Sequence, residues 1–318
     1  MTRQILFVMD PIDTITPYKD TTLAMMLAAQ ERGWQIHYCQ ATQLEVRGDA
    51  AFVHSRQLAV EDDAQHWFRF LDDTQARLLT TFDAILMRKD PPFDMNFIYA
   101  TYALELAERQ GAMVVNRPQA LRDFNEKYAI TRFPQCTTAS IISASVASIR
   151  QFLDEHQDIV VKPLDGMGGQ GIFRLRQKDP NFNVILETLT EYGRTPIMAQ
   201  RFLPDISTGD KRILVIDGKP LQHALARIPS QGETRGNLAA GGRGEVVPLN
   251  DRDRYIVHQV APTLLEYGLL FVGLDVIGDS LTEVNVTSPT CVREIQRGSG
   301  ENGAALLMEA IAQRWRHR

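Results

Sequence analysis

The stretch from Gly273 to Pro289, GLDVIGDSLTEVNVTSP, alternates apolar and polar residues on either side of Gly278-Asp279-Ser280. Such a pattern specifies two short strands joined by a tight turn, half buried on one face. With a three-residue loop Ile277 pairs with Leu281, and Asp275 then falls opposite Glu283. Asn285, two residues on, shares their face, while Leu274, Val276, Val284 and Val286 take the other. Two carboxylates and an amide oxygen on one strand surface suit a hard cation such as magnesium, completed by water and phosphate oxygens. The same residues would also suit the solvated face of an edge hairpin.

The rest of the chain must supply what such a face would act on. At 318 residues two or three domains are expected. A net charge of −5 disfavours nucleic acid as the main partner, so an anionic ligand has to be met by local groups. No apolar run approaches the roughly 20 residues of a membrane span, and Asp10 stops the run Ile5 to Met9 too soon for a secretory core. Cys39, Cys136 and Cys291 are far apart, without disulfide or zinc spacing, which fits a reducing, cytoplasmic compartment. Each reads as a small buried apolar residue.

The apolar run Gln4 to Met9, a helical period from Thr21 to Arg32 closed by Gly33, and the strand-like Gln35 to Cys39 begin a parallel α/β sheet. Residues 44–60 predict a hairpin around Gly48-Asp49, Trp67 to Leu71 a helix, and Ala84 to Met87 a buried strand. That strand delivers Arg88-Lys89-Asp90-Pro91-Pro92-Phe93-Asp94 to its carboxyl end, where open α/β sheets bind ligands. A helix from Asn96 to Gln110 and a strand at Met113 to Val115 complete a first domain, which carries no dinucleotide fingerprint. Residues 116–150 read as a connection plus a helix.

Ile159 to Pro163 reads as a strand with Lys162 near its end. A loop containing Gly166, Gly168, Gly169 and Gly171 follows, before a strand at Ile172 to Leu175. Such a loop brings backbone N–H groups close to an anion, and a nearby lysine adds a compact charge. Because it precedes a strand and lacks the Gly-Lys-Ser/Thr ending, it is not a P-loop. A helix is expected over Asn183 to Tyr192, a strand over Ile197 to Leu203, and a hairpin over Ile213 to Ile228 carrying Lys211, Arg212 and Arg227. Pro229 to Gly244, with Arg235 and Arg243, reads as a glycine-rich lid. Helices at Asp251 to Tyr267 and Ala304 to Trp315 flank the acidic hairpin.

The order of these motifs resembles the ATP-grasp superfamily, in which two α+β subdomains clamp ATP and magnesium behind a preceding α/β domain. Four strings narrow the resemblance to bacterial glutathione synthetases: MRKDPPFD (87–94), KPLDGMGG (162–169), IP through ETRGNLAAGGRG (228–244) and EVNVTSPT (283–290). It implies an N-terminal parallel-sheet α/β substrate domain (1–122), a central ATP-grasp subdomain with the glycine-rich loop (123–203) and a C-terminal one with the lid and metal site (204–318). It also implies ATP-dependent ligation of γ-glutamylcysteine and glycine through an acyl phosphate, with magnesium or manganese, in a cytoplasmic homotetramer that needs neither nucleic acid nor membrane. Asp275, Glu283 and Asn285 would hold the metal. Lys127, Lys162 and the Gly166 to Gly171 amides would bind phosphates, and Gln200, Arg201, Phe202 and Leu203 the adenine. Arg212 and Arg227 would meet the transferring phosphate and acyl oxygen, while Arg235 and Asn237 on the lid shield the acyl phosphate. The segment Arg297 to Gly303 departs from the more apolar run expected there. Another ATP-grasp carboxylate–amine ligase would keep every phosphate and metal residue, and a non-catalytic ATP-binding scaffold would keep the clamp.

Overall fold

A computed structural model describes residues 2–166, 168–230, 236 and 241–316. Among the described residues the chain forms three sheets. The first contains β1 (Gln4–Val8), β2 (Gln35–Cys39), β3 (Leu44–Arg47), β4 (Ala50–Val60), β5 (Phe68–Phe70), β6 (Gln75–Leu78), β7 (Ala84–Met87) and β8 (Val114–Val115). Its order is β3-β4-β2-β1-β7-β8, with β5 and β6 both pairing to β4. The middle, β2-β1-β7-β8, is parallel, as its nearly unbroken apolar runs require. Helix α1 (Thr21–Glu31) starts where the Asp20 carboxylate accepts the Leu23 N–H at 2.6 Å, and α2 (Met95–Arg109) where Asp94 accepts from Phe97 at 2.9 Å. The helix expected at Trp67 to Leu71 is instead β5. Phe68 and Phe70 share one strand face, where their rings meet edge-on at 5.3 Å and Tyr38 packs on Phe70, so an alternating pairing with β4 prevails over helical spacing.

After α3 (Pro118–Asp123), the second sheet is antiparallel: β9 (Ser140–Ser143), β10 (Asp158–Pro163), β11 (Phe173–Arg176) and β12 (Ile197–Arg201), in the order β11-β10-β12-β9. Helices α4 (Val146–His156) and α5 (Phe182–Leu189) cover it. Strand β9 went unread in the sequence because none of its four residues is fully buried. The third sheet holds β13 (Asp210–Ile216), β14 (Lys219–Pro220), β15 (His223–Ile228), β16 (Arg243–Pro248), β17 (Phe271–Ile277) and β18 (Ser280–Asn285). It runs β16-β15-β13-β17-β18, with α6 (Asp251–Glu266), α7 (Val292–Ser299) and α8 (Gly303–Arg316) around it. Strand β16 takes up the end of the expected lid, and residues 231–235 and 237–240 lie outside the described residues.

This is the expected α/β sheet followed by two α+β sheets, yet the cores do not follow the chain. Two apolar clusters each contain residues of both the first and third sheets. The second sheet has a cluster of its own, built from Ile149, Phe152, Ile159, Val161, Leu175, Leu186 and Ala199 with their neighbours, while Met198 on β12 packs into one of the shared clusters. Helix α8 lies on α1: Arg32 pairs with Glu309 at 2.8 Å, the Trp34 and Trp315 rings lie 4.6 Å apart, and Trp315 Nε1 donates to Asp83 O at 2.7 Å. None of the described helices is long and apolar enough to cross a membrane.

Candidate active site

The acidic hairpin closes with a tighter turn than its sequence suggests. Ile277 pairs with Ser280, not Leu281, leaving a two-residue loop, and a register shift beside Asp275 accommodates the extra residue, Thr282. Thr282 Oγ1 donates to Asp275 O at 3.1 Å. The bulge compensates for the shorter turn, so Asp275 still faces Glu283 and Gly273 faces Asn285. Leu274, Val276, Val284 and Val286 are all buried.

Neighbouring strands complete this polar face by register. Arg212 on β13 stands opposite Asp275, and Arg227 on β15 opposite Asp210. Arg212 donates to Asp275 through Nε at 2.5 Å and Nη2 at 3.0 Å, and Arg227 Nη2 reaches Asp275 Oδ2 at 2.9 Å and Asp210 Oδ2 at 2.5 Å. Burial would raise the Asp275 carboxyl, but Arg212 and Arg227 together outweigh it and hold that carboxyl well below the usual range. Asp210, more weakly compensated, is pushed up to about 7 by burial against the pull of Arg227. A side chain at Gly273 would put its Cβ 2.9 Å from Arg212 Cδ and 3.1 Å from Pro289 Cβ, so this strand position has to be glycine for the guanidinium to lie across it.

Glu283 lies 3.5 Å from Lys162 Nζ and 3.8 Å from Lys127 Nζ. Lys127 Nζ bonds Glu126 and donates to Gly166 O at 2.7 Å. Burial, reinforced by Glu283 and opposed by Lys127, pushes the Glu126 carboxyl up to about 7. Asn285 Nδ2 is buried without a hydrogen-bond partner, so protein hydrogen bonds leave this amide uncommitted. Among the described residues no three His, Cys, Asp or Glu side chains form a metal-holding group by themselves. A cation here would need the two carboxylates, the Asn285 amide oxygen and ligand oxygens together.

These groups line a cleft of about 540 Å³ bordered by all three sheets. Lys127, Lys162, Gly166, Gly168, Gly169, Gln200, Arg201, Phe202, Leu203, Arg212, Arg227, Asp275, Glu283 and Asn285 all reach it. Gly171 does not: it packs under the loop, where a Cβ would come within 2.9 Å of Pro163 Cγ. In the 200–203 stretch the Arg201 and Phe202 N–H groups already donate to Ala139 O and Asp158 O, each at 3.0 Å, so these two donors are committed within the fold. Arg235 and Asn237 lie outside the described residues. The 88–94 loop divides its labour. Asp90 and Pro91 line the cleft, and Lys89 pairs with Asp10 at 2.8 Å. Arg88 is buried as a brace, donating to Pro289 O at 2.9 Å and Thr22 Oγ1 at 3.2 Å.

Sequence reasoning missed Glu126, Asp210 and the wall formed by Asp10, Thr14, Thr16, Lys19 and Asp20. Position at the carboxyl ends of β1 and β7 was the available signal for that wall. Cys39, Cys136 and Cys291 are free and buried, and Cys291 borders the cleft.

Residues 4–122 match the family model described as "Prokaryotic glutathione synthetase, N-terminal domain", and residues 126–300 the one described as "Prokaryotic glutathione synthetase, ATP-grasp domain". A glutathione synthetase of Pseudomonas aeruginosa is 57% identical over 312 residues, covering 98% of each chain. One of Vibrio vulnificus is 54% identical over 307 residues, covering 96% of each. Among solved structures, the D-cycloserine synthetase DcsG superposes with a TM-score of 0.69 at 15% identity, over 98% of this chain and 99% of that one. The ATP-grasp ligase PsnB, complexed with its minimal precursor, Mg and ADP, gives 0.63 at 15% identity over 98% of each chain. These last two share the fold alone. With identity above one half along nearly the whole length of named relatives, the chain belongs to the prokaryotic glutathione synthetase family.

Proposed function

We propose that the chain joins γ-glutamylcysteine to glycine, consuming ATP and giving glutathione, ADP and phosphate. The observation that carries this reading is one cleft in which two lysines, a glycine-rich loop, two buried arginines and the acidic hairpin converge, in a chain of this family. A carboxylate is a poor electrophile. Its oxygen first attacks the γ-phosphorus of ATP, releasing ADP and giving an acyl phosphate; the glycine amine then adds to the acyl carbon and phosphate departs. Catalysis here is positioning and charge stabilisation, and no enzyme nucleophile is required.

On this reading Lys127, Lys162 and the amides around Gly166, Gly168 and Gly169 receive the phosphates, while Gln200 to Leu203 border the adenine. Arg212 and Arg227, fixed by Asp275, present their remaining N–H groups to the transferring phosphoryl and acyl oxygens. Arg235 and Asn237 of the 229–244 lid shield the acyl phosphate. Magnesium, or manganese in its place, fits the hard oxygen donors Asp275, Glu283 and Asn285, and when bound it would neutralise charge on the phosphate oxygens. The working division is a substrate domain at 1–122 and clamp halves at 123–203 and 204–318, in a cytoplasmic homotetramer.

The test is ADP release by the purified protein with ATP and magnesium, given γ-glutamylcysteine, glycine, both, or two D-alanines. ADP and glutathione in equal amounts, only with the first pair together, is the expected result. Turnover with D-alanine would replace the substrates, and ATP binding without turnover on any pair would leave a scaffold.

A further inference from the structure

Asn125 and Lys127 meet three consecutive residues of the glycine-rich loop, Leu164, Asp165 and Gly166. Lys127 Nζ makes two of these contacts, donating to Gly166 O at 2.7 Å and to Leu164 O at 3.5 Å. Asn125 makes the others: its Nδ2 donates to Leu164 O at 3.1 Å and to Asp165 Oδ1 at 3.3 Å. The same amide works in the opposite direction too, as Oδ1 accepts the backbone N–H of Lys127 at 3.1 Å and of Tyr128 at 2.9 Å. Asn125 is not among the residues that line the cleft.

We propose that Asn125 is a positioning residue for nucleotide binding, tying the placement of Lys127 to that of the glycine-rich loop. An amide suits this position because it donates and accepts at once. A carboxylate would keep the turn that fixes the Lys127 backbone but could not donate to Leu164 O, and it would set a second negative charge against Asp165. The two phosphate-binding parts come from segments almost forty residues apart, and without the Asn125 bonds only the long Lys127 side chain still joins them, so more ordering is left to be done when nucleotide binds. The effect therefore belongs to ATP and ADP affinity, not to the other two substrates.

The proposal rests on the nucleotide reading of the cleft, and the experiment separates the two. ADP with magnesium is titrated into wild type, Asn125→Asp and the swap Asn125→Asp/Asp165→Asn, with thermal unfolding of each without ligand. The swap keeps the net charge of wild type and reinstates one amide–carboxylate bond with its direction reversed. Asn125→Asp should raise the ADP Kd and the KM for ATP by roughly tenfold, a scale set by losing a charge-assisted contact. The KM values for γ-glutamylcysteine and glycine at saturating ATP should stay within about twofold, and the swap should recover most of the ADP affinity. Wild type failing to bind ADP would overturn the reading of the cleft. Wild type binding and Asn125→Asp binding equally well would overturn the role of Asn125 alone. A swap no tighter than the single variant, or all three KM values rising together, would likewise overturn it in favour of a general structural defect. Should Asn125→Asp not fold, Asn125→Ser, which can keep the turn at Lys127 but is too short to reach Leu164 O or Asp165 and adds no charge, should still raise the ADP Kd, and an unchanged value would overturn the proposal.

Discussion

Of the two carboxylates on the acidic hairpin's polar face, Glu283 is the one that the protein itself engages less. Its nearest cations, Lys162 and Lys127, stand at 3.5 and 3.8 Å, whereas both oxygens of Asp275 are held by guanidinium groups. Glu283→Gln should therefore lower kcat by orders of magnitude while the fold is retained, with thermal unfolding and circular dichroism close to wild type. Unaltered turnover would remove Glu283 from the proposed metal ligands. Glu126 gives a pH test. Its carboxyl, raised from an ordinary 4.5 to about 7, favours the neutral form in the folded chain. Its stabilising contribution is thus fully present below about 4.5 and is lost as pH rises through about 7. Glutamine mimics the neutral form at every pH. The Tm of Glu126→Gln minus that of wild type should grow from pH 4.5 to 7 and then level off; a difference flat across this range would contradict the assignment. Asp275, Glu283 and Asn285 were legible because alternation places them on one face. Glu126 and Asp210 were not, since only the third dimension sets them among other charges.

At the scale of elements, the acidic hairpin is pinned at its open end by a residue outside the third sheet. Asn116 donates from Nδ2 to Phe271 O and Val286 O, both at 2.7 Å, and its Oδ1 accepts the Phe271 N–H at 2.9 Å. All three bonds are buried, so Asn116→Ala would strand backbone groups away from water. The expected cost is about 3 kcal/mol, read as a Tm lower by roughly 5–10 °C. A shift under 2 °C, below what about 1 kcal/mol would give, would show the clamp to be dispensable. Most elements could be read from apolar period, including the helices α1, α2 and α6, whose starts were placed within a residue of those found. The failures have physical causes. The spacing of Trp67, Phe68 and Phe70 satisfied a helix as well as a strand, and β9 offers too little burial to register. The bulge at Thr282 could not be foreseen, because a shorter turn plus one extra residue leaves the same pair, Asp275 and Glu283, face to face.

Over the whole molecule, the division of cores predicts cooperativity. The first and third sheets share two apolar clusters and should open together, whereas the second sheet encloses a cluster of its own, joins a shared one through Met198 among its fully buried strand residues, and should open separately. Native-state hydrogen exchange would then resolve two protection classes, with β10 and β12 exchanging as one unit and β1, β7, β13 and β17 as another. A single class spanning all three sheets would refute this. Little of it was legible in the sequence, where each sheet reads as a consecutive block and nothing marks which blocks share an interior.

The docking of α8 onto α1 has a consequence for how the chain is made. A ribosome finishes Thr21–Glu31 about 270 residues before Gly303–Arg316, on the order of 15 to 50 s earlier at roughly 5–20 residues per second. Throughout that interval the apolar surface of α1 that will meet Leu307, Met308 and Ile311 faces solvent. The first sheet of the nascent chain is thus a sticky half-product, and a chain halted before Gly303 should be a client for chaperones despite having its whole cleft already synthesised.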